Sequence, residues 1–487
     1  MSAAPGLVAA GHRETARAAA EVLRAGGNAF DAAIAAGVAS AMAEPVLTGL
    51  GGGGFLLARP AGRQAVLFDF FVDTPGRGRP PSELDPHFLP VTVSFPGSDQ
   101  VFNTGMGSAA VPGVVAGYLC VHERLGRLPL AEVLAPGRRL AEEGVVLDVQ
   151  QAEIMAILWP ILGLTEDGRR LYGPEGRSLA AGERFVNPDL VTLLDGVATS
   201  GRERLYGTAI AERVASDMDG TGGLLTAIDL TGYEVAERAP LAAEYRGRTV
   251  LTNPPPSFGG SLVALGLSLL EDAGPLPEWG TAAHLERLAE CMVEMETIRQ
   301  AGDVAGRIRF SRGTTHVDVA DADGNVAAMS TSNGESAGYV VPGTGVMLNN
   351  MLGEDDLHPD GFHAAPPGVR VASMMAPTLV LDGDRVVLAL GSGGSKRIRT
   401  ALLQVISAVV DAGLSPADAV EAPRLHWDGE VLQVEPGFSG GSVAALERRW
   451  PVNRWAERNL YFGGVHALTP GVSGGGDPRR GGVAVDA

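Results

Sequence analysis

"FSRGTTHVDVADADGNVAA", residues 310–328, decides the fold. From Thr315 polar and apolar residues alternate as in a strand, the chain turns at "DADGN", and it returns as "VAAMSTS"; the pattern predicts a β-hairpin. Thr314 and Thr315 follow Gly313 at its entrance. A threonine hydroxyl is a poor nucleophile, and one way to activate it is to free its own α-amino group as the neighbouring base, which requires the Gly313–Thr314 bond to be cut. Glycine before the threonine favours such a cut because strained backbone is accessible to it at little steric cost. Threonine is also simply common in strands, so the hairpin alone does not fix a function.

A second stretch supplies the partner. In "VVLALGSGGSKRIRTALLQVI" a strand runs into Gly391 to Ser395 and then directly into a helix. Loop amides and a helix N-terminus there form an anion cradle. For a tetrahedral acyl intermediate each such donor contributes on the order of 3 kcal/mol. A phosphate loop is the rival reading, but the P-loop lysine and the Rossmann spacing are both missing. Acyl transfer is favoured.

Other nucleophiles fare worse. "GFSGG" around Ser439 fits the nucleophile-elbow pattern, yet His466 and then Asp477 follow it, the reverse of the order that elbow needs, so Ser439 or Ser442 reads as a helix N-cap. "GVSGG" around Ser473 lacks the strand and helix context. The nine histidines show no zinc spacing, and His358 and His363, flanking a Pro-Asp-Gly turn, read as surface residues; no metal and no cofactor are implied. Cys120 and Cys291 lie in apolar helical patterns and read as buried small hydrophobes.

Composition bounds the rest. With 487 residues, 45% apolar and 20% charged, the chain can bury a large core. Its net charge of -19 argues against a phosphate-neutralising surface, so nucleic acid is excluded as a partner. Lys396 is the only lysine. The start lacks a basic segment followed by a long apolar run, and no stretch reaches the ~18 apolar residues of a membrane span, which leads to the expectation of a cytoplasmic protein without membrane contact. Helices are expected from His12 to Arg24, closed by Gly26 and Gly27, and from an Asn28 cap to Ala43 before Pro45. In "TGLGGGGFLLARP" the glycines follow a helix and precede a strand, which suits close backbone approach rather than a nucleotide. The middle of the chain reads as helices punctuated by Gly and Pro, and "TLVLDGDRVVLAL" as a second hairpin.

Taken together, "GGNAFDAAIAAGVASAMAEPVLTGLGGGGFLLAR", "VPGVVAGY", "GGLLTAIDLTGYEVAERAPLAAEYRGRTVLTNPPPSFGGS", "TTHVDVADADGNV", "GVMLNNM", "MMAPTLVL" and "GSGGSKRIRTALLQV" resemble the landmarks of the gamma-glutamyltransferase family of N-terminal-nucleophile hydrolases, in that family's order and over nearly the whole chain. The resemblance implies an α+β fold, an αββα four-layer sandwich of stacked antiparallel sheets flanked by helices. It also implies synthesis as one precursor that cuts itself before Thr314 into a mostly helical large segment, 1–313, and a small segment, 314–487, held as a heterodimer. Carried over by position, Thr314 is the nucleophile, Ser332 the hydroxyl that hydrogen-bonds it and assists processing, and Gly394 and Ser395 the oxyanion amides. Ser373 matches the first of two substrate-contacting serines.

The departures matter as much. Where the family's "DFRE" carries an arginine for the glutamyl α-carboxylate, this chain has "DFFVDTP" with Phe71, and the bidentate charged clamp is gone. The family's asparagine at the hairpin end becomes Gly334, with Asn333 beside it, and the second serine becomes Met374. The acidic residue that reads the glutamyl amine falls on Glu354, Asp355 or Asp356. The large segment is also shorter than in exported members. The expected function is therefore a self-processing amidohydrolase or acyltransferase acting on a small acyl substrate other than the standard one. Alternatives are γ-glutamyl transfer or glutathione hydrolysis, hydrolysis like that of the cephalosporin-acylase relatives, C–C or amide hydrolysis in a natural-product pathway, and a non-catalytic binding module in which Thr314 is merely a strand residue.

Overall fold

A computed structural model describes residues 6–85, 87–95, 98–301, 313–358, 361–362 and 364–487. His363 and the part of the opening stretch before Gly313 lie outside the described residues.

The hairpin forms as its pattern predicts: Thr315–Asp321 pairs antiparallel with Val326–Ser332, Thr315 opposite Thr331, and Gly324 takes the turn at φ 89°. It is the centre of a seven-stranded antiparallel sheet in the order Val483–Asp486, Gly6–Ala10, Thr315–Asp321, Val326–Ser332, Gly53–Arg59, Val66–Phe70, Ala236–Arg238. A second, six-stranded sheet runs Ser473–Gly475, Gly464–Thr469, Arg385–Gly393, Thr378–Asp382, Arg248–Thr252, Leu241–Tyr245. Its Thr378–Asp382 and Arg385–Gly393 are the second expected hairpin, turning at Gly383.

Side-chain alternation along the strands sorts the core into layers. Val317, Val319, Leu56 and Phe68 face the helices Arg13–Arg24 and Ala29–Ala43. Leu57, Leu67 and Ala328 face Leu388, Leu390 and Val465 of the second sheet, whose outer side is covered by Phe258–Asp272 and Arg397–Val410. The result is the expected αββα sandwich.

Local chemistry explains the elements that carry the site. His12 caps the first helix through Nδ1, and Asn28 with Asp31 forms a capping box on the second, whose residues are almost all buried, as an all-apolar helix requires. The four glycines do admit close backbone: a Cβ on Gly52 would lie 1.9 Å from the Ser332 carbonyl oxygen and one on Gly51 2.2 Å from that of Met347. Ser439 is the N-cap of Gly440–Glu447, accepting from Ser442 N at 3.1 Å. Cys291 is buried, Cys120 is half-buried, and both are free. His358 differs from the surface reading: it is half-buried, and its Nε2 lies 2.9 Å from the Met351 carbonyl, because the short helical turns after Asn350 fold it back over that backbone. No described helix is long and apolar enough to cross a membrane.

Candidate active site

Thr314 stands at the mouth between the two sheets, where the hairpin ends, and is 6% exposed. Its Oγ1 donates to the Gly313 carbonyl oxygen at 2.6 Å, and Ser332 Oγ donates to the same oxygen. Ser332 is itself held by Gly334 N at 3.1 Å. Two hydroxyls thus converge on one peptide carbonyl, the arrangement expected where that carbonyl is to be polarised. Glycine is needed before Thr314 for a reason different from backbone strain. Gly313 is not in the left-handed region; instead, a Cβ there would sit 1.9 Å from the Gly334 carbonyl oxygen.

Beside Thr314 a small pocket of about 20 Å³ collects most of the residues the sequence nominates: Phe71, Ser332, Glu354, Ser373, Met374 and Ser395 line it together with Asp356. Phe71 is fully buried, stacked on Phe55 with ring centroids 5.4 Å apart. An arginine does lie behind it, but its charge is used there: Arg370 bonds the Phe71 carbonyl, Tyr233 Oη at 2.6 Å and Asp73 at 3.0 Å. Arg370 does not line the pocket. Ser373 Oγ accepts from Met375 N at 3.1 Å, while its carbonyl takes Phe258 N at 2.8 Å, so the turn that presents Met374 is pinned from both sides.

A short 3-10 turn, Asp355–Leu357, sets the acidic run: Glu354 and Asp356 face the pocket, whereas half-buried Asp355 does not line it. Asp356 accepts from Ser395 Oγ, and burial raises its carboxyl above the ordinary value. Asn333 is also turned away; its Nδ2 bonds Ser336 Oγ at 3.1 Å and the Met347 carbonyl at 3.3 Å, and it borders a different cavity with Thr48 and Asn187. Gly334 sits at φ 61°, and a side chain there would strike Asn350 Oδ1 at 2.1 Å and Glu354 Oε1 at 2.2 Å. The space a family asparagine would fill is taken by those two groups.

The strand Arg385–Gly393 runs further than its glycines suggest, since Gly391 pairs with His466, so the turn into the helix is Gly394, Ser395 and Lys396 alone. Gly394 has φ 124° and Ser395 φ 51°. Serine in that conformation costs of order 1 kcal/mol or more, and the hydroxyl bond to Asp356 offsets it. Ser395 shares the pocket with Thr314, while Gly394 packs toward Gly463 Cα. Lys396 is held down to about 8 by burial and the nearby Arg299.

Two further residues were not found by sequence reasoning. Arg480 Nη1 donates to the Thr314 carbonyl at 2.9 Å, 166 positions away in the chain. Glu44 is buried on the helix side of the sheet, accepting from Thr315 Oγ1 and from Thr15 Oγ1 at 3.3 Å, and burial pushes its carboxyl up to about 7. Glu44 is the one charged residue between Asp31 and Arg59, a signal that was available in the sequence. A third cluster, Ser330 Oγ, His316 and Asp318 at 2.8 and 3.0 Å, has the composition of a catalytic triad but lies sealed between the sheets, each residue 0–1% exposed, so it is a packing element.

The comparisons with known proteins follow the same line. The gamma-glutamyltranspeptidase family model matches residues 15–309 and 303–487. The Acylase ACY 1 proenzyme of Pseudomonas sp. (strain SE83) is 33% identical over 92% of this chain and 87% of its own length. The Glutathione hydrolase proenzyme of Escherichia coli (strain K12) is 29% identical over 92% and 86%. Among solved structures, the cephalosporin acylase from Bacillus halodurans superposes with a TM-score of 0.83 at 26% identity, covering 99% of this chain and 96% of that one. These relatives are enzymes, which sets aside the reading as a non-catalytic module. The chain belongs to the gamma-glutamyltranspeptidase family and is an N-terminal-nucleophile hydrolase of that family.

Proposed function

We propose that the chain cuts itself between Gly313 and Thr314 and then cleaves a small amide whose acyl group is not γ-glutamyl. The observation that carries the first step is the pair of hydroxyls on the Gly313 carbonyl. Thr314 Oγ attacks the Gly313 carbonyl carbon and the C–N bond breaks. The hydroxyl proton passes to the departing Thr314 nitrogen, and water then hydrolyses the ester to a Gly313 carboxylate and a free α-amine. In turnover that amine takes the Oγ proton as Oγ attacks a substrate carbonyl, and delivers it to the leaving amine; the Gly394 and Ser395 amides receive the oxyanion. Water or an acceptor amine releases the acyl group.

The wall of Phe71 and Met374, with Arg370 committed to Asp73, argues against a substrate α-carboxylate. Glu354 and Asp356 in the same wall favour an acyl chain bearing an amine, and they are the one feature that supports the glutathione reading named by some relatives. Denaturing electrophoresis with intact-mass measurement tests the first step: chains of 313 and 174 residues (487 − 313 = 174) are expected, and Thr314→Ala is expected to leave one chain. A hydrolysis screen of γ-glutamyl, glutaryl and short acyl amides tests the second; robust turnover of γ-glutamyl-p-nitroanilide would show that Phe71 does not exclude the glutamyl group.

A further inference from the structure

The Gly313–Thr314 bond separates two cavities. Thr314 lines the pocket just described; Gly313 lines another, of about 40 Å³, whose apolar walls are Val46, Leu47, Ile154, Ile157, Leu158 and Leu460, with Gln150 and Glu335 also at its lining. By the ~10–15 Å³ that one water needs, this second cavity has room for about three or four water-sized groups, a short alkyl chain or the inserted edge of a single ring. Arg480, which holds the Thr314 carbonyl at 2.9 Å, also lines it, so the cavity reaches the nucleophile's own backbone.

Two features of its walls call for an occupant. Ile154 and Ile157 stand one turn apart on the helix Val149–Leu162; they pack against the core on one side and are only half-buried, so part of their apolar surface is left to line the cavity. Between these apolar walls lies Gln151, 2% exposed, whose side-chain carbonyl has no hydrogen-bond partner among the described residues. A buried acceptor left unmade is costly, so its retention points to a donor brought by a ligand.

We infer that this cavity is the binding site for the amine half of the substrate, and that the amine is an apolar or aromatic one carrying a single N–H or O–H donor for Gln151. The inference rests on the amide-cleaving reading above. In that reaction the base is the Thr314 α-amine, which exists only once Gly313 has been released and so lies on the Gly313 side of Oγ. A leaving nitrogen must come within hydrogen-bond reach of that amine to be protonated. The acyl group occupies the Ser395 side of Thr314, and the substituent on the leaving nitrogen therefore extends the other way, into the apolar cavity. Its burial there is favourable in proportion to its apolar area, and its donor restores the Gln151 hydrogen bond.

The test has two arms, both on the full chain as purified. In calorimetric titration with the amines alone, 4-aminophenol is expected to bind about tenfold more tightly than aniline, the worth of one satisfied buried acceptor. Gln151→Leu, close in volume and lacking the unmet acceptor, is expected to abolish that preference, and Ile157→Asp to weaken both amines by about tenfold or more. In the kinetic arm the acyl group found by the screen is presented as its 4-hydroxyanilide and as its primary amide, which puts nothing into the cavity. Ile157→Asp is expected to lower the ratio of kcat/KM between the two substrates by about tenfold. An unchanged ratio, or equal binding of the two amines by the parent and by Gln151→Leu, overturns the inference. Amine binding without any ester on Thr314 by mass would leave the cavity assigned and refute the reaction; an ester on Thr314 with no amine preference would do the reverse.

Discussion

Glu44 is a carboxylate buried where an apolar helix ends. It ends the apolar helix Ala29–Ala43 as its C-cap, and the side chains it meets are Thr315 and Thr15, with the charges of Arg480 and Asp148 acting on it from the C-terminal segment and from the cap of Val149–Leu162. Burial raises its carboxyl from an ordinary value near 4.5 to about 7, against the lowering effect of both threonine hydroxyls and Arg480. The native state therefore holds a proton that the unfolded chain has lost anywhere between those values, and stability falls as pH rises through that window. We predict that Glu44→Gln, which keeps the hydrogen-bonding shape without the charge, removes this slope. The denaturation midpoints of the two proteins should converge near pH 4.5 and diverge toward neutrality, by a few kcal/mol at most for a shift of this size. A parent profile as flat as the variant's would refute it. Thr314 and the turn holding Gly394 and Ser395 are legible from a hairpin entrance and a strand-to-helix glycine turn, whereas Ser332, Phe71 and Ser373 were reached through the family resemblance. Arg480 and Gln151 were out of reach because each acts across the fold on residues far away in sequence, and Glu44, visible as a lone charge in an apolar run, gives no sign there of the threonines it meets.

At the scale of elements, the site is made by backbones that pass too close for side chains. The strand Gly53–Arg59 and the end of Val326–Ser332 are paired from Gly53↔Ser332 onward, and the glycine just before that pairing lies over the Ser332 carbonyl. Gly52→Ala would place a methyl group 1.9 Å from that carbonyl oxygen, so it must push the strand that carries Ser332. A loss of roughly 1–3 kcal/mol in stability is expected, as for other overpacked cores, together with slowed cleavage before Thr314. Gly440→Ala is the control: its Cβ would meet nothing within 4 Å and it stands in the first turn of a helix, so it should be neutral or stabilising. Thermal denaturation alongside the time course of chain cutting checks both, and equal behaviour of the two variants would remove the steric argument. The sequence made the glycine run legible as a place of close approach, but not what it approaches. The same limit applied to Gly313, whose neighbour is the Gly334 carbonyl rather than a strained φ, and to the acidic run, where one short helical turn decides that Glu354 and Asp356 rather than Asp355 face the pocket.

For the whole molecule, the division at Thr314 is not a division into domains. Gly6–Ala10 pairs with Thr315–Asp321, Gly53–Arg59 with Val326–Ser332, and Arg248–Thr252 with Thr378–Asp382, so both sheets interleave strands from before and after the proposed cut. The core between the sheets likewise mixes Leu57 and Leu67 with Leu388 and Val465. Neither segment can bury its own strands alone, and cutting one peptide bond removes none of these contacts. The cleaved protein is therefore expected to elute from gel filtration as one particle containing both chains and to part only in denaturant. What the cut does change is the unfolded state, which gains the freedom of two separate chains, so refolding becomes a bimolecular event. The denaturation midpoint of the cleaved protein should then rise with protein concentration, while that of uncut Thr314→Ala should not. A midpoint independent of concentration in a fully cleaved sample would mean that one segment folds by itself, contrary to the interleaved sheets.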